Sequence, residues 1–144
     1  MFVGEYSHNI DAKGRIIMPS KLREQLGGQF MITRGFEGCL AVYPMEAWEQ
    51  LVEKLTMLPT NQKSARFLQR ELLSGAAEAE PDKQGKVLIT PSHRTHAGLT
   101  KEVVIIGVGT RVEIWDAKRL ADYRNEETQM SLEEAAEGLE GFNF

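Results

Sequence analysis

The sequence has a single cysteine and no long apolar run. Cys39 can form no internal disulfide and has no partners for a zinc site, so we expect it to be buried as a small apolar side chain. The longest apolar stretch, residues 103–108, is far too short to cross a bilayer, and the N-terminal residues do not have the pattern of a signal peptide. These absences predict a cytoplasmic protein without a membrane partner.

The sequence also lacks the motifs on which common classes of enzyme depend. It contains no nucleophile motif, no glycine-rich loop for phosphate binding and no set of metal ligands. His93 and His96 are three residues apart, but no acidic or cysteine cluster accompanies them, so we interpret both as histidines on a helix surface. We therefore predict a protein that is not an enzyme, with no cofactor, metal or small-molecule substrate.

Basic residues are outnumbered, and a net charge of −4 argues against nucleic-acid binding if the charge is spread evenly. The charge is not spread evenly. Residues 120–144 hold seven carboxylates and one arginine, a net charge of −6, so residues 1–119 carry a net charge of +2. The acidity thus belongs largely to a tail.

What the sequence does contain is an internal repeat at an offset of 71 to 72 residues. Residues 11–20 (DAKGRIIMPS) return as residues 82–92 (DKQGKVLITPS), with one extra residue before the second proline. Beyond the two prolines the spacing is equal again, because Tyr43 and Trp115 each follow their proline by 24 residues.

Each copy has the pattern of a small β-rich unit. A charged turn precedes a short apolar strand, a proline-started helical stretch ends near glycine, and two further apolar runs form a hairpin. A unit of about 45 residues buries too little apolar surface to fold alone, so the two copies must share one core with pseudo-two-fold symmetry. The predicted fold class is β-rich α+β, built from two tandem units of ββαββ type.

Two helices are predicted to connect the copies. The first opens at Pro44 and the second covers about residues 61–73, with a basic stripe that is either a solvated face or a set of phosphate contacts. The spacing of Ser131 and Glu134 predicts a final short amphipathic helix. Trp48 and Trp115 are expected to be core anchors. The predicted divisions are 5–47 for the first unit, 48–75 for the linking helices, 76–119 for the second unit and 120–144 for the acidic tail.

The charged turns supply a cluster of basic residues on an otherwise acidic protein. Its members are Lys13, Arg15, Lys83 and Lys86, with Lys21 and Arg23 nearby. Lysine gives point-charge contacts to phosphate, and the arginine fork can bind guanine O6 and N7 in the major groove, which a β-ribbon can enter. We expect Asp11 and Asp82 to orient the basic side chain four residues further on. Gly14 and Gly85 would permit the bend.

An ordinary hairpin turn is the alternative interpretation of Asp-x-x-Gly. Aspartate then bonds to the local backbone, glycine takes a positive φ, and the surrounding charges are merely solvated. The presence of two copies favours the DNA interpretation, although a duplication also copies structural turns.

Further segments complete a specific pattern over nearly the whole chain. They are Met1-Phe2-x-Gly4, Tyr43-Pro44 with Trp48, residues 66–73, His96-Ala97-Gly98-Leu99 and Ile114-Trp115-Asp116. With the two turns, they make the chain resemble the MraZ family of transcriptional regulators in the AbrB-like swapped-hairpin superfamily. The resemblance implies two AbrB-like units in one double-psi or swapped-hairpin-like barrel.

The resemblance also implies a bacterial, nucleoid-associated protein that binds G-containing direct repeats upstream of the division and cell-wall gene cluster. Such proteins usually act as repressors and assemble into rings. In the family the last position of each Asp-x-x-x-Arg motif is taken to contact double-stranded DNA, which implies this role for Arg15 and Lys86. Lysine lacks the planar fork, so Lys86 is expected to grip phosphate with less discrimination for guanine.

Ring assembly would multiply a weak affinity per subunit through effective concentration. The apolar side of the linking helices and the terminal Phe142 and Phe144 are candidate contact surfaces, with core packing an equal alternative for the helices. A different functional class stays open, namely an antitoxin-like module whose acidic tail occupies a basic groove of another protein.

Overall fold

The computed structural model describes residues 1–139, 141 and 142, which form a mixed α+β fold. The strands are β1 (Glu5–Asn9), β2 (Arg15–Ile17), β3 (Phe30–Arg34), β4 (Leu40–Pro44), β5 (Ala77–Ala79), β6 (Lys86–Leu88), β7 (Glu102–Gly107) and β8 (Val112–Asp116). The helices are α1 (Ser20–Leu26), α2 (Met45–Thr56), α3 (Lys63–Ser74), α4 (Pro91–Ala97), α5 (Ala117–Asp122) and α6 (Leu132–Glu137). A π-helical turn, Tyr123–Glu127, continues α5. No helix in the described ranges has both the length and the apolar character needed to cross a membrane.

Strands from the two halves of the chain are paired with each other. The main antiparallel sheet has the order β1-β7-β8-β4-β3-β5, so the first strand of each half lies beside the hairpin of the other half. Glu5 lies opposite Ile106, and Ala79 lies opposite Phe30. A second, two-stranded sheet joins β2 to β6. Neither half can therefore complete its sheets alone.

A shared hydrophobic core fills the space between the sheets and α1 and α4, as the sequence predicted. Its fully buried members come from both halves and include Ile16, Phe30, Val87 and Ile105. A smaller cluster surrounds Trp115 and contains Cys39, whose side chain is completely buried. This burial raises the pKa of the thiol to about 12. The expected burial of Trp115 and Cys39 is confirmed.

The linking helices pack on the first half of the sheet. Pro44 caps α2, and Trp48 on that helix is buried, with its ring centroid 6.2 Å from that of Tyr43. Thr33 on β3 donates a hydrogen bond of 2.6 Å to the Leu72 carbonyl on α3. The apolar sides of these helices are thus largely used within the chain. Phe67 is an exception, because 63% of its surface is exposed.

The first part of the acidic tail is bound to the body of the protein, which the sequence analysis did not predict. The Asp116 carboxylate caps α5. Leu120 is buried, and the ring of Tyr123 lies 5.3 Å from that of Trp115. Arg124 forms an ion pair of 2.7 Å with Glu5.

The final helix, α6, is present where the capping-box spacing predicted it. Ser131 accepts a hydrogen bond of 3.1 Å from the backbone N–H of Glu134. Phe142, one of the two aromatic residues proposed for subunit contacts, is 68% exposed. Phe144, the other one, lies outside the described residues.

The repeat aligns differently from the sequence comparison. Both α1 and α4 have seven residues, and they begin at Ser20 and Pro91, at an offset of 71. Pro91 is the first residue of its helix, whereas Pro19 is the cap before its helix. The two prolines are therefore not equivalent, and the extra residue falls after α4. The placement before Pro91 was wrong because it matched residue type instead of helix position.

The corrected offset also explains why the prediction for His93 was wrong. His93 takes the inward position that Leu22 has in the first copy, and it is 3% exposed. Its Nε2 donates a hydrogen bond of 2.6 Å to the Gly75 carbonyl. His96, at the next turn of the helix, lies 3.1 Å from the Cys39 carbonyl. Both histidines hold helix α4 against other elements instead of facing solvent freely.

Candidate nucleic-acid interface

The two charged turns are brought together by the β2–β6 ribbon. Its register places Arg15 opposite Leu88, Ile16 opposite Val87 and Ile17 opposite Lys86. The central pair is buried in the core, so the side chains of the two outer pairs face outward. Because the strands are antiparallel, the turns that precede them lie at opposite ends of a ribbon only three pairs long.

The first turn holds the Arg15 side chain in place. Asp11 Oδ1 accepts hydrogen bonds of 2.9 Å from the backbone N–H groups of Lys13 and Arg15, and Asp11 Oδ2 accepts one of 3.0 Å from Arg15 Nε. These hydrogen bonds, led by that from the backbone of Arg15, lower the pKa of Asp11. Gly14 has a φ of +81° and closes the turn. The structure thus places Asp11 where it can orient Arg15.

The second turn has the same backbone but a different use of its carboxylate. Asp82 Oδ1 accepts hydrogen bonds from the backbone N–H groups of Lys86 (2.9 Å) and Gln84 (2.8 Å), which lower the pKa of Asp82. Its Oδ2 lies 3.9 Å from Arg15 Nη1. Asp82 therefore faces the arginine of the first copy, and within the described residues Lys86 has no carboxylate at ion-pair distance.

A helix from the opposite half covers the glycine of each turn. The guanidinium group of Arg94 on α4 lies over Gly14, and that of Arg23 on α1 lies over Gly85. Arg23 Nη1 also donates a hydrogen bond of 2.9 Å to the Met18 carbonyl. The arginines are equivalent at the offset of 71. Sequence reasoning found Arg23 and missed Arg94, because its alignment assumed an extra residue before α4.

The result is a face that is rich in cations. Lys13 and Lys83 are exposed in the turns, and Lys21 is exposed on α1. The ribbon and the adjoining helices add Arg15, Lys86, Arg23 and Arg94. The two carboxylates of the face already accept backbone hydrogen bonds, so they offset this charge without closing the face.

The chain is similar over its whole length to proteins of one family. A family model described as "MraZ protein, putative antitoxin-like" matches twice, over residues 1–71 and 72–143. A protein named Transcriptional regulator MraZ from Heliobacterium modesticaldum is 53% identical over 144 residues, with both chains covered fully. Proteins of the same name from Lactobacillus delbrueckii subsp. bulgaricus and Caldanaerobacter subterraneus subsp. tengcongensis are each 49% identical, over 97% and 100% of both chains respectively.

The chain belongs to the MraZ family. The two matches of the MraZ model meet inside α3 and are offset by 71 residues, as are the two turns and the helices that follow them. The MraZ relatives carry the name of transcriptional regulators, which are not a class of enzyme. In the part of this MraZ chain that the structure describes, no group of three or more His, Cys, Asp or Glu residues could hold a metal ion.

Two apolar residues of the candidate face were also missed by sequence reasoning. Ile17 is 42% exposed and Leu88 is 58% exposed, although both belong to strands. The alternation of each strand contained the signal, because Ile16 and Val87 must point inward if Arg15 and Lys86 point outward. The face of this MraZ chain is therefore a mixed one, with cationic and apolar side chains in alternate corners.

Proposed function

We propose that the chain binds double-stranded DNA in a sequence-specific way and regulates transcription, with the β2–β6 ribbon entering the major groove. The observation that carries this proposal is the joining of the two basic turns in one outward-facing ribbon. A two-stranded ribbon has the width that the major groove accepts. The surrounding lysines and arginines would contact the phosphates on either side.

Arg15 and Lys86 have different roles in this proposal. Arg15 is held by Asp11 at 3.0 Å and lies 3.9 Å from Asp82, so its fork is oriented before DNA arrives. A fork held in this way can donate two parallel hydrogen bonds to guanine O6 and N7. Lys86 is a flexible point charge and would contact phosphate. Lys13, Lys83, Lys21 and Arg23 add further phosphate contacts.

The finer features of the proposal rest on the family. We propose that the targets are G-containing direct repeats upstream of the bacterial division and cell-wall gene cluster, that the chain represses transcription there, and that it works at the nucleoid in the cytoplasm. The exchange of strands between halves supports an AbrB-like swapped-hairpin barrel. We keep the divisions at 5–47, 48–75, 76–119 and 120–144, although α5 crosses the last boundary.

Self-association into a ring is part of the same proposal. One ribbon makes only a few phosphate contacts, which bind weakly at cellular salt, whereas linked subunits on successive repeats raise the effective concentration. The exposed Phe67 on α3 and Phe142 at the end of the described chain supply candidate apolar contacts.

A band-shift titration on DNA from upstream of the chain's own gene tests the proposal. We expect Arg15→Ala to weaken specific binding by about 5- to 150-fold, the value of a bidentate contact with guanine. Lys54→Ala on α2 is the matched control, since it removes an exposed cation outside the ribbon. Circular dichroism checks the fold of both variants. Equal binding by Arg15→Ala and the control rejects the ribbon as the reading face.

The antitoxin-like alternative is favoured by the description of the family model and by the acidic tail. It predicts that the tail, and not the ribbon, carries the interaction. A chain ending at residue 128 keeps the docked helix α5 and loses α6. The alternative replaces the DNA proposal if two results are found. The full-length chain must bind a basic protein but no DNA, and the shortened chain must no longer bind that protein.

A further inference from the structure

Each of the two outer pairs of the ribbon contains one exposed apolar side chain. Ile17 and Leu88 are 42% and 58% exposed, while their strand neighbours Ile16 and Val87 are 1% and 0% exposed. Each exposed side chain is directly opposite a cation, because Ile17 pairs with Lys86 and Leu88 pairs with Arg15. Single exposed apolar residues are common, but this pair is related by the offset of 71, so the same position is apolar in both copies.

We infer that Ile17 and Leu88 contact the C5-methyl groups of thymines in the major groove and contribute to the sequence preference of the chain. This inference rests on the proposed function. The thymine methyl is the apolar group that the major groove presents, and it distinguishes A·T from G·C pairs. The cations beside both residues favour nucleic acid over an apolar protein surface as the occupant.

The dimensions of the ribbon fit this role. Directly opposed side chains in an antiparallel pair are about 5 Å apart, and residues i and i+2 of one strand are about 6.6 Å apart. Successive base pairs rise by about 3.4 Å. Ile17 and Leu88 therefore reach bases within about two base pairs of the base that Arg15 contacts. A guanine and a nearby thymine would be read by one rigid unit.

Replacing thymine with deoxyuridine tests the inference, since it removes the C5-methyl group alone. The upstream DNA of the band-shift titration is first prepared with every thymine replaced, and then with single replacements near each guanine. We expect the wild-type chain to lose about fourfold in affinity for each contacted methyl, the value of burying one such group. Ile17→Ala and Leu88→Ala should bind the thymine and deoxyuridine duplexes with more nearly equal affinity.

Met57→Ala is the control, because Met57 is 79% exposed at the end of α2 and outside the ribbon. It should keep the full sensitivity to deoxyuridine. The inference is overturned if the wild-type chain ignores every replacement, or if both ribbon variants keep its sensitivity. In those cases loss of binding by Arg15→Ala still upholds the proposed function, whereas failure of the wild-type chain to bind any duplex rejects both.

A second copy of the chain is the other partner that could cover Ile17 and Leu88. Sedimentation of the Ile17→Ala, Leu88→Ala double variant tests whether these residues contact such a copy instead of DNA. We expect the same sedimentation coefficient as for the wild-type chain. A smaller assembly with unchanged sensitivity to deoxyuridine would assign the two residues to a subunit interface and overturn the inference.

Discussion

The contact between each turn and the arginine of the opposite half can be tested by replacing Gly85 with alanine. Gly85 has a φ of +80°, and a Cβ atom there would lie 1.9 Å from Arg23 Nη1 and 2.9 Å from Arg23 Cζ. The guanidinium group must therefore move. Its hydrogen bond of 2.9 Å to the Met18 carbonyl is lost when it does.

The expected loss of stability in the Gly85→Ala variant has two parts. A left-handed backbone costs an alanine about 1 to 2 kcal/mol relative to glycine. Loss of the hydrogen bond from Arg23 to Met18 adds about 1 kcal/mol, since the half-buried guanidinium group can turn to water. We expect Gly85→Ala to lower the free energy of unfolding by about 2 to 3 kcal/mol. It should also weaken DNA binding, because the turn and a basic side chain are displaced together.

Urea unfolding followed by circular dichroism measures this cost. Gly109→Ala is the control for backbone strain, because its φ is +89° and nothing lies within 4 Å of the added Cβ. The same Gly85→Ala change made in an Arg23→Ala background should cost about 1 kcal/mol less than in the wild-type chain. If the cost is the same with and without the Arg23 side chain, the proposed contact does not contribute.

Three further outcomes follow from the structure. Leu120→Ala should lower the free energy of unfolding by about 2 to 5 kcal/mol because it empties a buried position beneath α5. Met57→Ala, at a position that is 79% exposed, should change it by less than about 0.5 kcal/mol. Equal urea midpoints for the two variants would contradict the docking of α5. The pKa of Asp11 is lowered in the folded chain, so its stabilisation is present above the unfolded value of about 3.9 and is lost as the pH falls through the lower folded pKa. Asp11→Asn should therefore show a shallower fall of the urea midpoint below about pH 4 than the wild-type chain, and an equally steep fall would contradict this. Cys39, whose pKa is raised to about 12 by burial, should resist alkylation until the chain is unfolded; rapid modification of the folded chain would contradict its burial.

Local patterns were sufficient to predict most elements of the fold. Alternation of apolar residues and the positions of glycine and proline predicted the hairpins, and Pro44 predicted the start of α2. The two basic turns were also found, because a repeated Asp-x-x-Gly is visible without knowledge of the tertiary structure. These features depend on residues close together in the chain.

The features that were missed depend on contacts between distant residues. Arg94 became visible only when α4 gave the true offset of the repeat. The docking of Tyr123 on Trp115 has no periodic signal, because the pair is formed by a single aromatic contact beyond the second unit. The surface position of His93 was inferred from the lack of an acidic or cysteine cluster in the sequence around it, whereas its burial is permitted by the Gly75 carbonyl that accepts its hydrogen bond. The positions of these side chains depend on the residues that they contact in the folded chain.

The duplication gives the chain an outward-facing ribbon whose two halves are alike in backbone and unlike in chemistry. A symmetric pair of identical chains presents the same contacts twice, which suits a palindromic site. The ribbon has two cations, and Arg15 lies within 4 Å of the carboxylates of both turns. Lys86 lies opposite Ile17 and has no carboxylate at ion-pair distance among the described residues. The ribbon therefore has a direction, and DNA turned end for end would meet a different order of side chains. A site with one orientation, repeated head to tail, is what such a face can distinguish, so divergence between Arg15 and Lys86 supports direct repeats over palindromes as the proposed target.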